Sequence, residues 1–121
     1  MKDQYSSFKM VGDVACWVTT DASGRLDLFW KSIDQEDASS LDISFMESIS
    51  QLDSVNDTLY LLKERPYFLY SFSPSTGKVG VVERSLEFPL AFGDDSCYYP
   101  AIEDEKRVFV KNSLEPLYYI N

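Results

Sequence analysis

Residues 40–52 read Ser40-Leu41-Asp42-Ile43-Ser44-Phe45-Met46-Glu47-Ser48-Ile49-Ser50-Gln51-Leu52. The fold class turns on this stretch, because most of its surroundings alternate with a period of two. Its apolar residues Leu41, Phe45, Ile49 and Leu52 are spaced 4, 4 and 3, as on one face of a helix. Ser39 or Ser40 can cap the first turn, and nearby acids suit the positive end of a helix dipole. Leu41, Ile43 and Phe45 also alternate, so a short strand before a shorter helix competes. The spacing predicts one main helix over about 40–52.

Upstream, Val14, Cys16 and Val18 alternate with Ala15, Trp17 and Thr19. Asp21-Ala22-Ser23-Gly24 then supplies turn chemistry, and Leu26, Leu28 and Trp30 alternate with Arg25, Asp27 and Phe29. This predicts a hairpin over 13–32, with Trp17 and Trp30 in its core. Downstream, 58–63 is rich in apolar residues. Residues 67–73 alternate, and Pro74-Ser75-Thr76-Gly77 turns the chain into 78–85. A meander over 58–92 follows, ending in a short strand limited by Pro89, and residues 107–120 add C-terminal strands. The expectation is an α+β, β-rich single domain, its mainly antiparallel sheet having about five to seven strands beside the helix.

The chain has 121 residues, a normal size for one domain, and a hydrophobic content of 45 % that suits a packed core. Aromatics at 15 % favour sheet. It has no histidine, which excludes a Ser-His-Asp triad, a Cys-His pair and His-ligated metal within the chain. Cys16 and Cys97 lie far apart, form no CxxC motif and read as buried thiols in a reducing compartment. The first 13 residues hold Lys2, Asp3, Lys9 and Asp13 and no apolar run of signal-peptide length, so the expected location is cytoplasmic. No run reaches membrane-spanning length, and no membrane partner is expected.

Charge is the most informative property. There are 20 acidic and 11 basic side chains, a formal net of −9. Residues 13–57 carry ten acids and two bases, whereas residues 58–121 carry nine and seven. Such a balance disfavours direct nucleic-acid binding, since phosphates need Lys and Arg. No Lys or Arg occurs between Ser32 and Leu62, a span that contains Asp34, Glu36, Asp37, Asp42, Glu47, Asp53 and Asp57. Clustered acids steer a basic partner and set specificity by complementary potential. Tyr98 and Tyr99 point to opposite sides of an extended segment, which places one tyrosine where it can anchor a partner.

Other motifs carry less. Asp34-Gln35-Glu36-Asp37 lacks the glycine-turned twelve-residue calcium loop. Thr76-Gly77-Lys78 lacks the upstream glycine of a phosphate loop. Asp94-Asp95 and Glu103-Asp104-Glu105 are loop acid clusters and the candidates for carboxylate catalysis.

No cofactor or metal is expected. The reading is of a non-enzymatic, acidic binding protein, monomer or homodimer, that neutralises a basic protein partner. Its most concrete form is an immunity protein masking the cationic active site of a bacterial toxin or effector. A dimeric secretion or assembly chaperone and a carboxylate-based enzyme are the alternatives.

Overall fold

The computed structural model describes residues 4–64, 67–86, 91–93 and 95–120. It overturns the α+β expectation: the described residues are nearly all β, and no main helix exists among them. Residues 40–52 are divided between strand β4 (Ser39–Asp42), a single 3-10 turn (Ser44–Met46), a connection, and the start of β5 (Gln51–Val55).

The reason lies in which backbone groups these side chains bond. Serine and aspartate compete with helix hydrogen bonds by satisfying nearby or distant backbone groups. The Ser44 amide donates to Asp42 Oδ1 at 2.8 Å, and the Ser50 hydroxyl donates to the Leu62 carbonyl at 3.1 Å. The Leu26 amide donates to Ser44 Oγ at 3.0 Å, and the Ile43 amide donates to the Leu26 carbonyl at 2.9 Å. Leu41 lies opposite Leu28, so this segment completes a sheet. Ile43 and Met46 are fully buried, whereas Phe45, assigned to the helix face by its spacing, is 49 % exposed.

Among the described residues, three antiparallel sheets replace the single sheet expected. The first has the order β1-β2-β3-β4, with β1 at Gln4–Val11, β2 at Val14–Thr20 and β3 at Leu26–Ser32. The hairpin expected over 13–32 corresponds to β2 and β3, paired from Val14↔Ser32 to Thr20↔Leu26. The second sheet has the order β12-β8-β7-β6-β5, from β6 (Thr58–Lys63), β7 (Tyr67–Ser73), β8 (Lys78–Leu86) and β12 (Tyr118–Tyr119). The third has the order β11-β10-β9, from β9 (Ala91–Phe92), β10 (Ser96–Glu103) and β11 (Lys106–Ser113). Strands β1, β5 and β10 had no counterpart in the expected set. The expected short strand over 86–92 falls partly outside the described residues.

The second sheet is the middle layer. Leu59 and Leu61 of β6 join a core with Cys16, Val18 and Leu28 of the first sheet and Phe72 and Val79 of the second. Tyr60 and Leu62, on the opposite face of the same strand, join a second core with Leu69, Val82, Cys97 and Leu114. Successive strand residues face opposite ways, so burial on both faces explains the unbroken apolar run of β6. Trp30 packs edge-on against Phe72 with ring centroids 4.7 Å apart. Trp17 does not join it in the core. It stacks between Phe8 and Phe29 on the outer face of the first sheet, with centroids 6.4 and 5.6 Å away.

Candidate functional site

The turns of the first two sheets bring four segments to one end of the molecule. Gly12-Asp13 joins β1 to β2, and the Ile33 amide donates to the Asp13 carbonyl at 3.1 Å, which seats the 33–38 connection beside it. Asn56-Asp57 joins β5 to β6, and residues 74–77 join β7 to β8. Asp13 and Asp57 line a cleft of about 260 Å³ with Gly12, Pro74 and Ser75. Gly12 has φ +58°, a left-handed conformation that suits glycine in this tight turn.

The acidic residues selected from the sequence do not form one surface. Asp34, Glu36, Asp37 and Asp57 are exposed at this end, joined by Asp13. Among the described residues, none of these five side chains makes an ion pair. The others have local partners. Asp42, at the opposite end, has Arg25 Nε 3.7 Å away, and hydrogen bonds from Ser44 hold its carboxyl below the usual aspartate range. Glu47 accepts a 2.6 Å bond from Lys63, which lowers its pKa. Asp53 lies beside β1, 4.0 Å from Lys9, and accepts a bond from Gln51 at 2.6 Å. The acids exposed together at this end are therefore Asp13, Asp34, Glu36, Asp37 and Asp57.

Asp13 was missed by selecting acids from the base-free stretch alone. Its signal was the Gly12-Asp13 pair before an alternating strand, a hairpin turn once a strand is recognised ahead of it.

The tyrosines lie elsewhere. Tyr98 faces outward on the third sheet, while Tyr99 packs against the second core and accepts a 3.3 Å bond from Asn112. Both belong to the third sheet, and neither lines the cleft between Asp13 and Asp57.

The catalytic candidates are also dispersed. Asp94 lies outside the described residues. Asp95 is exposed and accepts a 3.0 Å bond from the Ser96 hydroxyl. Asp104 and Glu105, both at positive φ, form the turn at the far end of β10, roughly 25 Å away along eight strand residues. No group of three or more His, Cys, Asp or Glu side chains is arranged to hold a metal among the described residues. Cys16 and Cys97 are free thiols buried in different cores. Burial pushes Cys16 up to about 11 and raises Cys97 as well, which disfavours the reactive thiolate. No helix among the described residues is long and apolar enough to cross a membrane.

Compared with family models, curated proteins and solved structures, the chain has no significant match.

Proposed function

We propose that this chain is an acidic binding protein that neutralises a basic protein partner through the carboxylates at one end of its first two sheets. The concrete form of the reading is an immunity protein that covers the cationic active site of a bacterial toxin, such as a nuclease.

The supporting observation is the unequal pairing of the acids. Asp42, Glu47 and Asp53 have cationic neighbours in Arg25, Lys63 and Lys9. Asp13, Asp34, Glu36, Asp37 and Asp57 have none among the described residues and project from adjoining turns. Exposed, unneutralised charge of one sign raises the encounter rate with an oppositely charged surface and fixes its orientation. A cationic catalytic cleft is such a surface. Turns held by two packed sheets present these carboxylates with little ordering cost on binding.

The test is co-expression with the basic product of the adjacent reading frame. The expected result is rescued growth and a complex whose association slows as salt rises. Replacing Asp34, Glu36, Asp37 and Asp57 together by lysine should slow association by more than about tenfold. The Glu103→Lys/Glu115→Lys variant, which reverses two exposed acids with no ion pair among the described residues, should associate at nearly the parent rate. An unchanged rate in the fourfold variant refutes the acidic-end mechanism.

A further inference from the structure

We propose that the pocket between the second sheet and the 114–119 segment binds a small oxyanion through the Lys78 ammonium and the Ser71 hydroxyl. The ligand chemistry is the one that inorganic phosphate and a carboxylate share.

Register builds the pocket. Directly paired residues of an antiparallel sheet share a face. Tyr60 pairs with Ser71, Ser71 with Gly80 and Gly80 with Tyr119, so one row crosses β6, β7, β8 and β12. Tyr60 belongs to the second core, which puts this row on that side of the sheet. Its middle positions carry a short side chain and none, between two tyrosines, so the row dips at its centre. In the next row Ser73 pairs with Lys78. Leu114 and Pro116 close over the dip and leave a pocket of about 80 Å³. That is more than one water needs and well below the ~300 Å³ at which pockets for drug-sized ligands begin. It suits an ion of a few heavy atoms.

Ser71 supplies the observation that asks for a ligand. It is only 4 % exposed, and its Oγ leans over Gly80, where a Cβ would come within 2.8 Å of it. This hydroxyl makes no hydrogen bond among the described residues. No fully enclosed side-chain nitrogen or oxygen lacks a partner among them, so the Ser71 Oγ opens into the pocket that it lines. A buried hydroxyl facing such a space is satisfied by what enters it.

Charge decides the class of ligand. Lys78 is exposed at the mouth, with its Nζ 5.7 Å from the Tyr119 ring centroid, and has no ion-pair partner among the described residues. No carboxylate lines the pocket. An ammonium only donates, and serine and tyrosine hydroxyls are free to donate to an acceptor. Burial raises the Tyr60 phenol above its ordinary range, so it stays protonated at neutral pH. The neighbouring acids are engaged elsewhere. Asp57 lines the cleft on the first-sheet side with Val11 and Val14, and Glu83 accepts a 3.2 Å bond from Asn112 of β11. Glu115 is exposed and does not line the pocket. The net charge of −9 still opposes an anion, so binding is weak and salt-dependent.

Amide NMR spectra of the parent chain test this at neutral pH and constant ionic strength, with chloride replaced stepwise by phosphate or by acetate. The expected result is a saturable shift at the Ser71, Gly80 and Tyr119 amides with one of these ions. A preference for phosphate identifies a tetrahedral ion, and a preference for acetate identifies a carboxylate. Ser71→Ala and Lys78→Met should each weaken binding about tenfold or more, as loss of one hydrogen bond to a charged group does. The first removes an unpaired hydroxyl and the second an exposed side chain, so both should keep the parent spectrum elsewhere. Lys106→Met removes the same charge at the start of β11 and should leave binding unchanged. Absence of a saturable shift with either ion overturns the proposal. So does binding that survives both pocket substitutions, or a Lys106→Met effect equal to that of Lys78→Met, which would indicate diffuse charge alone. The acids of the proposed partner site are untouched, so its failure would be a separate result.

Discussion

Lys63 Nζ lies 2.6 Å from Glu47 Oε1, with the lysine side chain 9 % exposed and the glutamate 76 % exposed. The ammonium also sits over the Phe68 ring, 5.5 Å from its centroid. A cation at the buried end of β6 needs a counter-charge, and a carboxylate from the connection before β5 supplies it. Glu47 thereby supplies the counter-charge that the buried Lys63 needs.

Removing one member of this pair should be worse than removing the charge altogether. Glu47→Gln leaves the Lys63 ammonium without its anion, whereas Lys63→Met substitutes an apolar side chain of similar length. The expected result is a clear drop in melting temperature for Glu47→Gln and a smaller change for Lys63→Met. Thermal unfolding by circular dichroism checks the order, and the reverse order would refute the pairing argument.

Asp21, Asp42 and Glu47 all have carboxyl pKa values below their ordinary 3.8, 3.8 and 4.5. For Asp21 the leading cause is the Ser23 hydroxyl, for Asp42 the Ser44 side chain, and for Glu47 the Lys63 ammonium. A depressed folded pKa gives stability that is full above the unfolded value and lost as pH falls through the folded one. These contributions are present at neutral pH and fade below about pH 4.5. Acid also relieves the self-repulsion of a chain with a net charge of −9, so the diagnostic is a comparison. Urea midpoints of Asp42→Asn/Glu47→Gln should fall less between pH 5 and pH 3 than those of the parent. Parallel losses would contradict the assignment.

Phe72 is fully buried between the first two sheets and meets the Trp30 ring edge-on. Phe72→Ala should cost about 3–5 kcal/mol by lost transfer energy and the cavity left behind. Urea unfolding with an unchanged m-value measures it. A loss below about 1 kcal/mol would mean that the core closes around the gap.

Gly80 marks another tight approach. A Cβ there would lie 2.7 Å from Pro116 Cβ and 2.8 Å from Ser71 Oγ. Gly80→Ala must therefore push the 116–120 segment away from β8. Hydrogen exchange should accelerate at the Leu117 and Ile120 amides, which donate to the Val81 and Val79 carbonyls at 2.7 and 2.8 Å. Exchange in β2 and β3 should not change. Retained protection at both amides would show that β12 yields without detaching.

The legible parts of the fold were those specified by neighbouring residues. Alternation over 14–20 and 26–32 with a glycine-containing turn identified the β2–β3 hairpin, and the Pro74–Gly77 turn identified β7–β8. The β10–β11 turn was harder to recognise as a two-residue hairpin, because Asp104 and Glu105 occupy positive φ where glycine or asparagine is usual. In the candidate site, charge segregation was legible but charge pairing was not. Lys63 lies 16 positions from Glu47, and Lys9 lies 44 from Asp53.

The sequence by itself determined β-rich character, the turns of the β2–β3 and β7–β8 hairpins and the acidic bias of the first half, because each depends on composition or on residues a few positions apart. Tertiary structure decided the rest. Residues 40–52 satisfy helix and strand spacing alike, and the Ile43 amide bonded to the Leu26 carbonyl settles them as sheet and connection. Folding likewise brings cations beside Asp42, Glu47 and Asp53 and leaves Asp13, Asp34, Glu36, Asp37 and Asp57 exposed at one end. A carboxylate's field depends on the cations within a few ångströms of it, and those neighbours are set by packing rather than by order along the chain.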